Sequence, residues 1–264
     1  MICITSSSNV KIKDIKSLYK KKERWSKEIF IIEGMKIVEE CINNKYPLED
    51  IIYSDELLNI RGGEELFDRI RNYNKLINVP SKLFKEISDT ETPQWIMATA
   101  KFKKNSIEEI EKSKNPFILL LEEIQDPGNM GTIIRTADAF NIDGIIVTAG
   151  SVDVYNPKVV RSTMGSIFRT PIYHISNKLE FIEKLKIQGY RIYSTSLEAK
   201  KHIHEIDFND ASIILIGNES RGVSDSISSL ADELIKIPIL GGAESLNVGI
   251  ASSIIMYEAM RQRI

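Results

Sequence analysis

The segment Phe117–Leu121, FILLL, constrains the fold more than any other. It is apolar at every position, with Pro116 before it and two glutamates after it. A strand with one wet face alternates apolar and polar residues. One that is apolar throughout must be covered on both faces, as in a parallel sheet flanked by helices. The downstream sequence repeats this demand, with strands predicted at 144–147, 172–173, 191–194, 212–216 and 233–237. Helices are predicted between them, at about 131–140, 157–164, 179–188 and 224–230, with a last helix from Ser245. Six strands alternating with helices define an α/β fold with a parallel, doubly wound sheet.

The N-terminal part alternates as well. One helix is predicted over the residues after Ser8-Asn9, where Ile12, Ile15, Leu18 and Tyr19 recur at helical spacing. Strands at 28–33, 48–53, 76–79 and 95–102 and helices at 35–43, 64–73 and 81–87 complete a smaller α/β unit. The stretch Lys103–Pro116 is highly charged and poor in large apolar residues, as an interdomain connection would be. The expected domains are therefore 1–103 and 117–264, with a linker at 104–116.

Hydrophobic residues make up 42% and charged residues 27%, which fits a globular protein. The apolar start Met1–Ile4 turns polar at once, and no run approaches the roughly 20 apolar residues of a membrane span, so neither a leader nor a span is expected. Cys3 and Cys41 have no metal-ligand spacing, in keeping with a reducing, cytoplasmic setting. His202 and His204 would share one face of a strand, but no third ligand is evident and no metal is expected. Charge is uneven. Residues 1–24 carry seven Lys or Arg against Asp14 and Glu23, a local excess of +5 in a chain of net charge −2. Lys11, Lys20, Lys21, Lys22 and Arg24 are thus candidates for contact with a polyanion such as RNA, although a solvated helix face reads the same way.

Three glycine-bearing turns follow strands of the second domain, where open parallel sheets bind ligands. The first is DPGNMGTIIR, from Asp126 to Arg135. The second is GNESRG, from Gly217 to Gly222, in which Glu219 places a carboxylate just past a buried strand. The third lies in Ile237–Glu258, where Gly241-Gly242 permits close backbone approach and Ser245-Leu246-Asn247 precedes a helix. Alone, this last stretch is equally an ordinary capped strand-loop-helix. None of the turns is GxGxxG or GxxxxGK[ST], so the common nucleotide fingerprints are absent.

Together the three turns resemble the three motifs of the SpoU (TrmH-type) RNA ribose 2′-O-methyltransferases of the SPOUT superfamily. The matching segments are Asp126–Phe140, Ile213–Val223 and Ile237–Glu258, with Asp153–Pro171 similar to an internal segment of the family. Residues 4–100 resemble the family's L30e-like substrate-binding domain, through Ser8-Asn9, Phe30–Gly34 and Thr92-Pro93-Gln94. Trp95 departs from the glycine usual at its position, and Asp126 from the usual asparagine.

The resemblance implies a C-terminal trefoil knot, an exception to the unknotted rule. It also implies a homodimer and S-adenosylmethionine as methyl donor, held near Thr195, Gly217, Ile237 and Leu246. By the same resemblance Arg135, Asn129, Glu219, Ser245 and Asn247 are the catalytic set. Arginine keeps its proton to a pKa above about 12, so Arg135 suits phosphate binding and alkoxide stabilisation better than proton abstraction. Asn129 would position Arg135 or the ribose, Glu219 would orient Arg135 or the donor, and Ser245 and Asn247 would hold the nucleotide or order the loop. The expected substrate is ribosomal RNA, and within it 23S rRNA. The alternatives are tRNA, an antibiotic-resistance site of 23S rRNA, or a non-catalytic RNA-binding assembly factor.

Overall fold

The computed structural model describes residues 2–264, apart from the side chains of Glu111 and Lys112. The chain forms two compact units. One comprises the residues up to Lys103 with Asp153–Phe168; the other comprises Lys104–Val152 with Arg169–Ile264.

The first unit contains β1 (Ile2–Cys3), β2 (Ile29–Glu33), β3 (Leu48–Tyr53), β4 (Leu76–Asn78) and β5 (Ile96–Lys101). They form one sheet in the order β1-β4-β3-β5-β2. β4 runs parallel to both β1 and β3, whereas β5 is antiparallel to both β3 and β2. Ile12, Ile15 and Leu18 pack into a core with Ile31, Ile52, Ile77, Phe84 and Met97, which is the burial their helical spacing requires.

Two expectations change in this unit. The single N-terminal helix is two, Val10–Ser17 and Lys21–Lys27. The break exposes the Leu18 carbonyl, which accepts a hydrogen bond from Arg24 Nη1 at 2.8 Å. The segment Asp153–Phe168, assigned from sequence to the second domain, packs within the first unit. Its Asp153 accepts from Arg24 Nε at 3.0 Å and Nη2 at 2.6 Å, and Tyr155 stacks on Phe102 at 3.8 Å between ring centroids. Both side chains of that ion pair are buried. Arg161 donates to Asp89 at 3.0 Å and lies near the buried Glu33.

Trp95 has φ +59°, a left-handed backbone that costs glycine nothing. The glycine usual at this position therefore has a backbone reason. Here the ring compensates by packing on Phe84 (5.9 Å) with Lys85 Nζ 5.5 Å from its centroid. The adjacent Gln94 Oε1 accepts from Met35 N–H at 2.8 Å, so the Glu33-Gly34 and Thr-Pro-Gln markers meet in space.

The second unit contains β6 (Phe117–Leu121), β7 (Gly144–Thr148), β8 (Ile172–Ile175), β9 (Arg191–Thr195), β10 (Lys201–His202), β11 (Ser212–Ile216) and β12 (Glu233–Lys236). Their order is β10-β12-β9-β11-β6-β7-β8, and every neighbouring pair is parallel. β10 is a strand the periodicity did not predict, because two residues are too few to show alternation. All five residues of β6 are at most 2% exposed, as the FILLL pattern requires. Ile118 and Leu120 join Ile146, Ile192, Ile213 and Leu215 under Phe181, Ile182 and Leu185 of the helix Lys178–Ile187. Each such buried side chain contributes about 1.5–3 kcal/mol.

The expected linker belongs to this unit. Asn105 Nδ2 donates to Ile172 O at 3.1 Å, and Ile110 is buried beside Tyr173 in the core. Its high charge hides two apolar anchors, Ile110 and the partly buried Ile107, which packs against the same core. At the C-terminus the helix Val248–Arg263 packs on the helix Pro127–Ala139, with Thr136 Oγ1 and Ser253 Oγ 2.9 Å apart. Gly249 makes this approach possible, since a Cβ there would lie 3.2 Å from Thr132 Cβ.

Candidate active site

Because all strands of the second sheet are parallel, their carboxyl ends share one edge. β12, β9 and β11 are neighbours, so Ile237, Thr195 and Gly217 emerge from that edge beside one another, each at or just past a strand end. Thr195 Oγ1 donates to Leu215 O at 3.0 Å, tying β9 to β11 at this point.

Gly217 begins a tightly closed loop. Asn218 and Gly222 exchange backbone hydrogen bonds at 3.0 and 2.9 Å. A Cβ on Gly217 would lie 1.9 Å from the Gly222 carbonyl carbon, so only glycine fits. Asn218 Oδ1 accepts from the backbone N–H of Ser220 (3.0 Å) and Arg221 (3.2 Å) and holds the turn from inside.

Glu219 projects from this loop to the start of the first motif. It accepts from the backbone N–H of Gln125 (3.2 Å) and Asp126 (3.1 Å) and from Asn129 Nδ2 (3.1 Å). Partial burial pushes its carboxyl up. The hydrogen bond from Asn129 and those from backbone N–H groups outweigh this and hold it below the ordinary glutamate value.

A carboxylate can only accept, so the Asn129 amide must turn its NH2 toward Glu219. Its Oδ1 is then free to accept from Asn247 Nδ2 at 2.9 Å. Asn247 Oδ1 in turn accepts from Gly249 N–H (2.9 Å) and Ile250 N–H (3.2 Å), capping the final helix. Hydrogen-bond direction thus runs consistently from the last helix through Asn247 and Asn129 to Glu219. Asp126 caps its own helix through Asn129 N–H at 2.8 Å, so aspartate serves there as asparagine would.

The other predicted residues stand apart from this chain. Arg135 is solvent-exposed in the helix Pro127–Ala139, with no hydrogen bond or ion pair among the described residues, and it does not contact Asn129 or Glu219. Ser245 is exposed and makes no hydrogen bond among the described residues. The last helix starts at Val248 rather than Ser245, because Asn247 provides the cap. Leu246 is 36% exposed and Ile237 half-buried. At Gly241 and Gly242 a Cβ would meet nothing within 4 Å, so the close passage expected there is found at Gly217 and Gly249 instead.

In the first unit Lys20, Lys21 and Lys22 are exposed. Lys11 pairs with Asp50 at 2.6 Å. Arg24 does not belong with them: it is 2% exposed and committed to Asp153 and the Leu18 carbonyl. Charge patterning reports sign, not direction, and Arg24 points inward.

His202 closes β10, and His204 lies beyond that strand, with the two rings stacked 5.4 Å apart. Glu205 is the third group near them, and it accepts from His202 N–H at 2.7 Å. The sequence reading passed over Glu122, a carboxylate directly after β6 that is 2% exposed. The signal that singled out Glu219, an acid just past a buried strand, applies equally to it.

Three glycine-bearing turns thus meet through Asn247, Asn129 and Glu219 at the carboxyl edge of a parallel sheet, where sheets of this kind bind small molecules. The sequence matches the model of the SpoU rRNA methylase family over residues 116–257 and that of the MRM3-like substrate binding domain over residues 9–98. The chain therefore belongs to the SpoU rRNA methylase family, whose members are S-adenosylmethionine-dependent RNA ribose 2′-O-methyltransferases.

Among its relatives, the 23S rRNA (guanosine(2553)-2′-O)-methyltransferase RlmP of Bacillus subtilis (strain 168) is 34% identical over 96% of this chain and 97% of its own length. The 23S rRNA (uridine(2479)-2′-O)-methyltransferase of Streptomyces viridochromogenes is 29% identical over 89% of this chain and 83% of its own. The AdoMet-bound rRNA methyltransferase of Sinorhizobium meliloti superposes with a TM-score of 0.87 at 30% identity, covering 99% of this chain and 98% of that one.

Proposed function

We propose that this protein methylates a ribose 2′-hydroxyl of 23S rRNA, and that the residues gathered at the carboxyl edge of the second sheet carry the reaction. The observation that carries this reading is the Asn247–Asn129–Glu219 relay, which fastens the three motifs to one another. The donor, when bound, supplies a methyl group on a positively charged sulfur. Thr195, Gly217, Ile237 and Leu246 suit it: they stand at or beyond the ends of neighbouring strands, and Ile237 and Leu246 are partly exposed, so their apolar side chains can flank an adenine.

Arg135, exposed and unpaired among the described residues, binds the target phosphate and stabilises negative charge developing on the ribose oxygen. Its guanidinium stays protonated, so the ribose proton leaves to solvent. Asn129 and Asn247 set the floor on which the ribose rests, and Ser245 reaches the nucleotide from the exposed loop. Lys20, Lys21 and Lys22 draw the RNA to the substrate-binding domain, residues 9–98, and Lys11, although paired with Asp50, adds to the positive charge of that segment. The protein acts in the cytoplasm as a homodimer without a metal, and its last helix completes a knot.

Arg135→Ala is expected to abolish methyl transfer while S-adenosylmethionine, followed by calorimetry, still binds. Near-normal turnover in that variant overturns the role of Arg135. Mapping 2′-O-methyl positions in rRNA from cells lacking the protein identifies the nucleotide; an unchanged 23S map argues against this substrate.

A further inference from the structure

Glu122 is the most deeply buried carboxylate at the carboxyl edge of the sheet, and none of the chemistry above uses it. It follows β6 directly and is 2% exposed. A buried carboxylate is costly unless fully partnered. Glu122 has three donors: Oε1 accepts from Ser224 Oγ at 2.6 Å and from Lys178 Nζ, and Oε2 accepts from Ser224 N–H at 2.7 Å. Burial pushes its carboxyl up, but the bonds from Lys178 and Ser224 outweigh this and hold it below the ordinary glutamate value.

Ser224 stands at the N-cap of the short helix Asp225–Ser228, where a serine hydroxyl ordinarily accepts from the helix. Here it makes no capping bond and turns to Glu122 instead. Ser224 also ends the loop that begins at Gly217. One end of that loop is fixed by β11. The other is held by Glu122 on the neighbouring strand β6, in register with β11. Between them Glu219 reaches the 125–129 turn. The adjacent Glu123 reinforces the clamp: its carbonyl accepts from Asn218 Nδ2 at 2.9 Å.

We infer that Glu122 is a positioning residue for the donor site, an ionised latch that acts through Ser224 to fix the Gly217–Gly222 loop and the aim of Glu219. The latch rests on the reading of Gly217 as part of the donor site. Glutamine at 122 keeps the shape but offers one neutral acceptor oxygen in place of two charged ones, and its NH2 must oppose either the Ser224 N–H or the Lys178 ammonium, neither of which can accept. Ser224→Ala removes the hydroxyl alone, whereas Ser224→Thr retains both donors.

The test combines amide hydrogen exchange over residues 217–224 with calorimetric binding of S-adenosylmethionine to the full-length protein. In Glu122→Gln, exchange in the loop should quicken while β11 stays protected, and donor affinity should fall on the order of tenfold, the loss of one hydrogen bond to a charged group. Ser224→Ala should give a smaller shift in the same direction, and Ser224→Thr should restore wild-type values. Should Glu122→Gln not fold, the serine pair alone decides the matter. Unchanged loop exchange overturns the latch. Faster exchange with unchanged donor affinity overturns its positioning role and leaves a purely structural one. Failure of the wild-type protein to bind the donor overturns the donor-site reading itself, and with it this role.

Discussion

Replacing Glu219 by glutamine tests the relay most directly. The carboxylate serves three donors: the N–H groups of Gln125 and Asp126 and the amide of Asn129. Oε1 accepts from all three, and Oε2 also accepts from Gln125 N–H at 3.2 Å. Glutamine keeps one oxygen without its charge, and its NH2 then opposes the Gln125 N–H. The loss is about one hydrogen bond to a charged group, roughly 1.5–3 kcal/mol. Glu219 is solvent-exposed, so water recovers part of this and the lower end applies. About 1.4 kcal/mol corresponds to a tenfold effect. If the 125–129 turn must be ordered for Asn129 to meet the ribose, kcat/KM should fall about tenfold in a methyl-transfer assay with labelled donor, and the unfolding free energy at neutral pH should fall by about 1.5 kcal/mol.

The pH dependence supplies a second arm. The carboxyl is held below its ordinary value of 4.5. Its contribution to folding is therefore complete above that value and is lost as pH falls through the folded-state pKa. The stability gap between wild type and Glu219→Gln should close over that range. A variant with kcat/KM within twofold of wild type, or a gap that widens in acid, refutes the argument.

Other outcomes follow from the same contacts. Gly217→Ala puts a Cβ 1.9 Å from the Gly222 carbonyl carbon; the loop must open, and calorimetry should show donor binding lost. Asp153→Ala leaves the Arg24 guanidinium buried with only the Leu18 carbonyl; urea titration should show a loss of about 3–5 kcal/mol. Replacing Arg24 and Asp153 together by Met and Leu should recover most of that loss. Lys20, Lys21 and Lys22 changed together to alanine should weaken RNA binding and reduce its slope against log salt by about 2, as expected for three phosphates on a single strand. A slope equal to that of wild type removes these lysines from the interface.

Much of this protein could be read in advance. FILLL required a strand covered on both faces, and β6 is that strand, in the interior of a parallel sheet between β11 and β7. Ile12, Ile15 and Leu18 announced a buried helical face and formed one. The three motifs were legible together, through their resemblance to the SpoU family, whereas the last of them alone reads equally as a capped strand-loop-helix. These are local signals: periodicity and residue type act over a few positions and survive in any context.

Tertiary structure decided what depends on direction and on distant partners. Arg24 sits in a lysine run yet turns inward, because Asp153, 129 positions away, is packed beside it. The segment 153–168 reads as part of one domain and folds with the other. The charged stretch 104–116 became part of the second unit through Ile110 and Ile107. Trp95 occupies a left-handed position whose cost is met by Phe84, a contact that spacing cannot reveal. Sequence placed Glu219, Asn129 and Asn247 on three separate motifs. Only the insertion of β11 between β6 and β9 and the return of the last helix to Pro127–Ala139 brought them within hydrogen-bonding distance. A hydrogen bond has direction and a reach of about 3 Å, and neither is written in the order of residues along a chain.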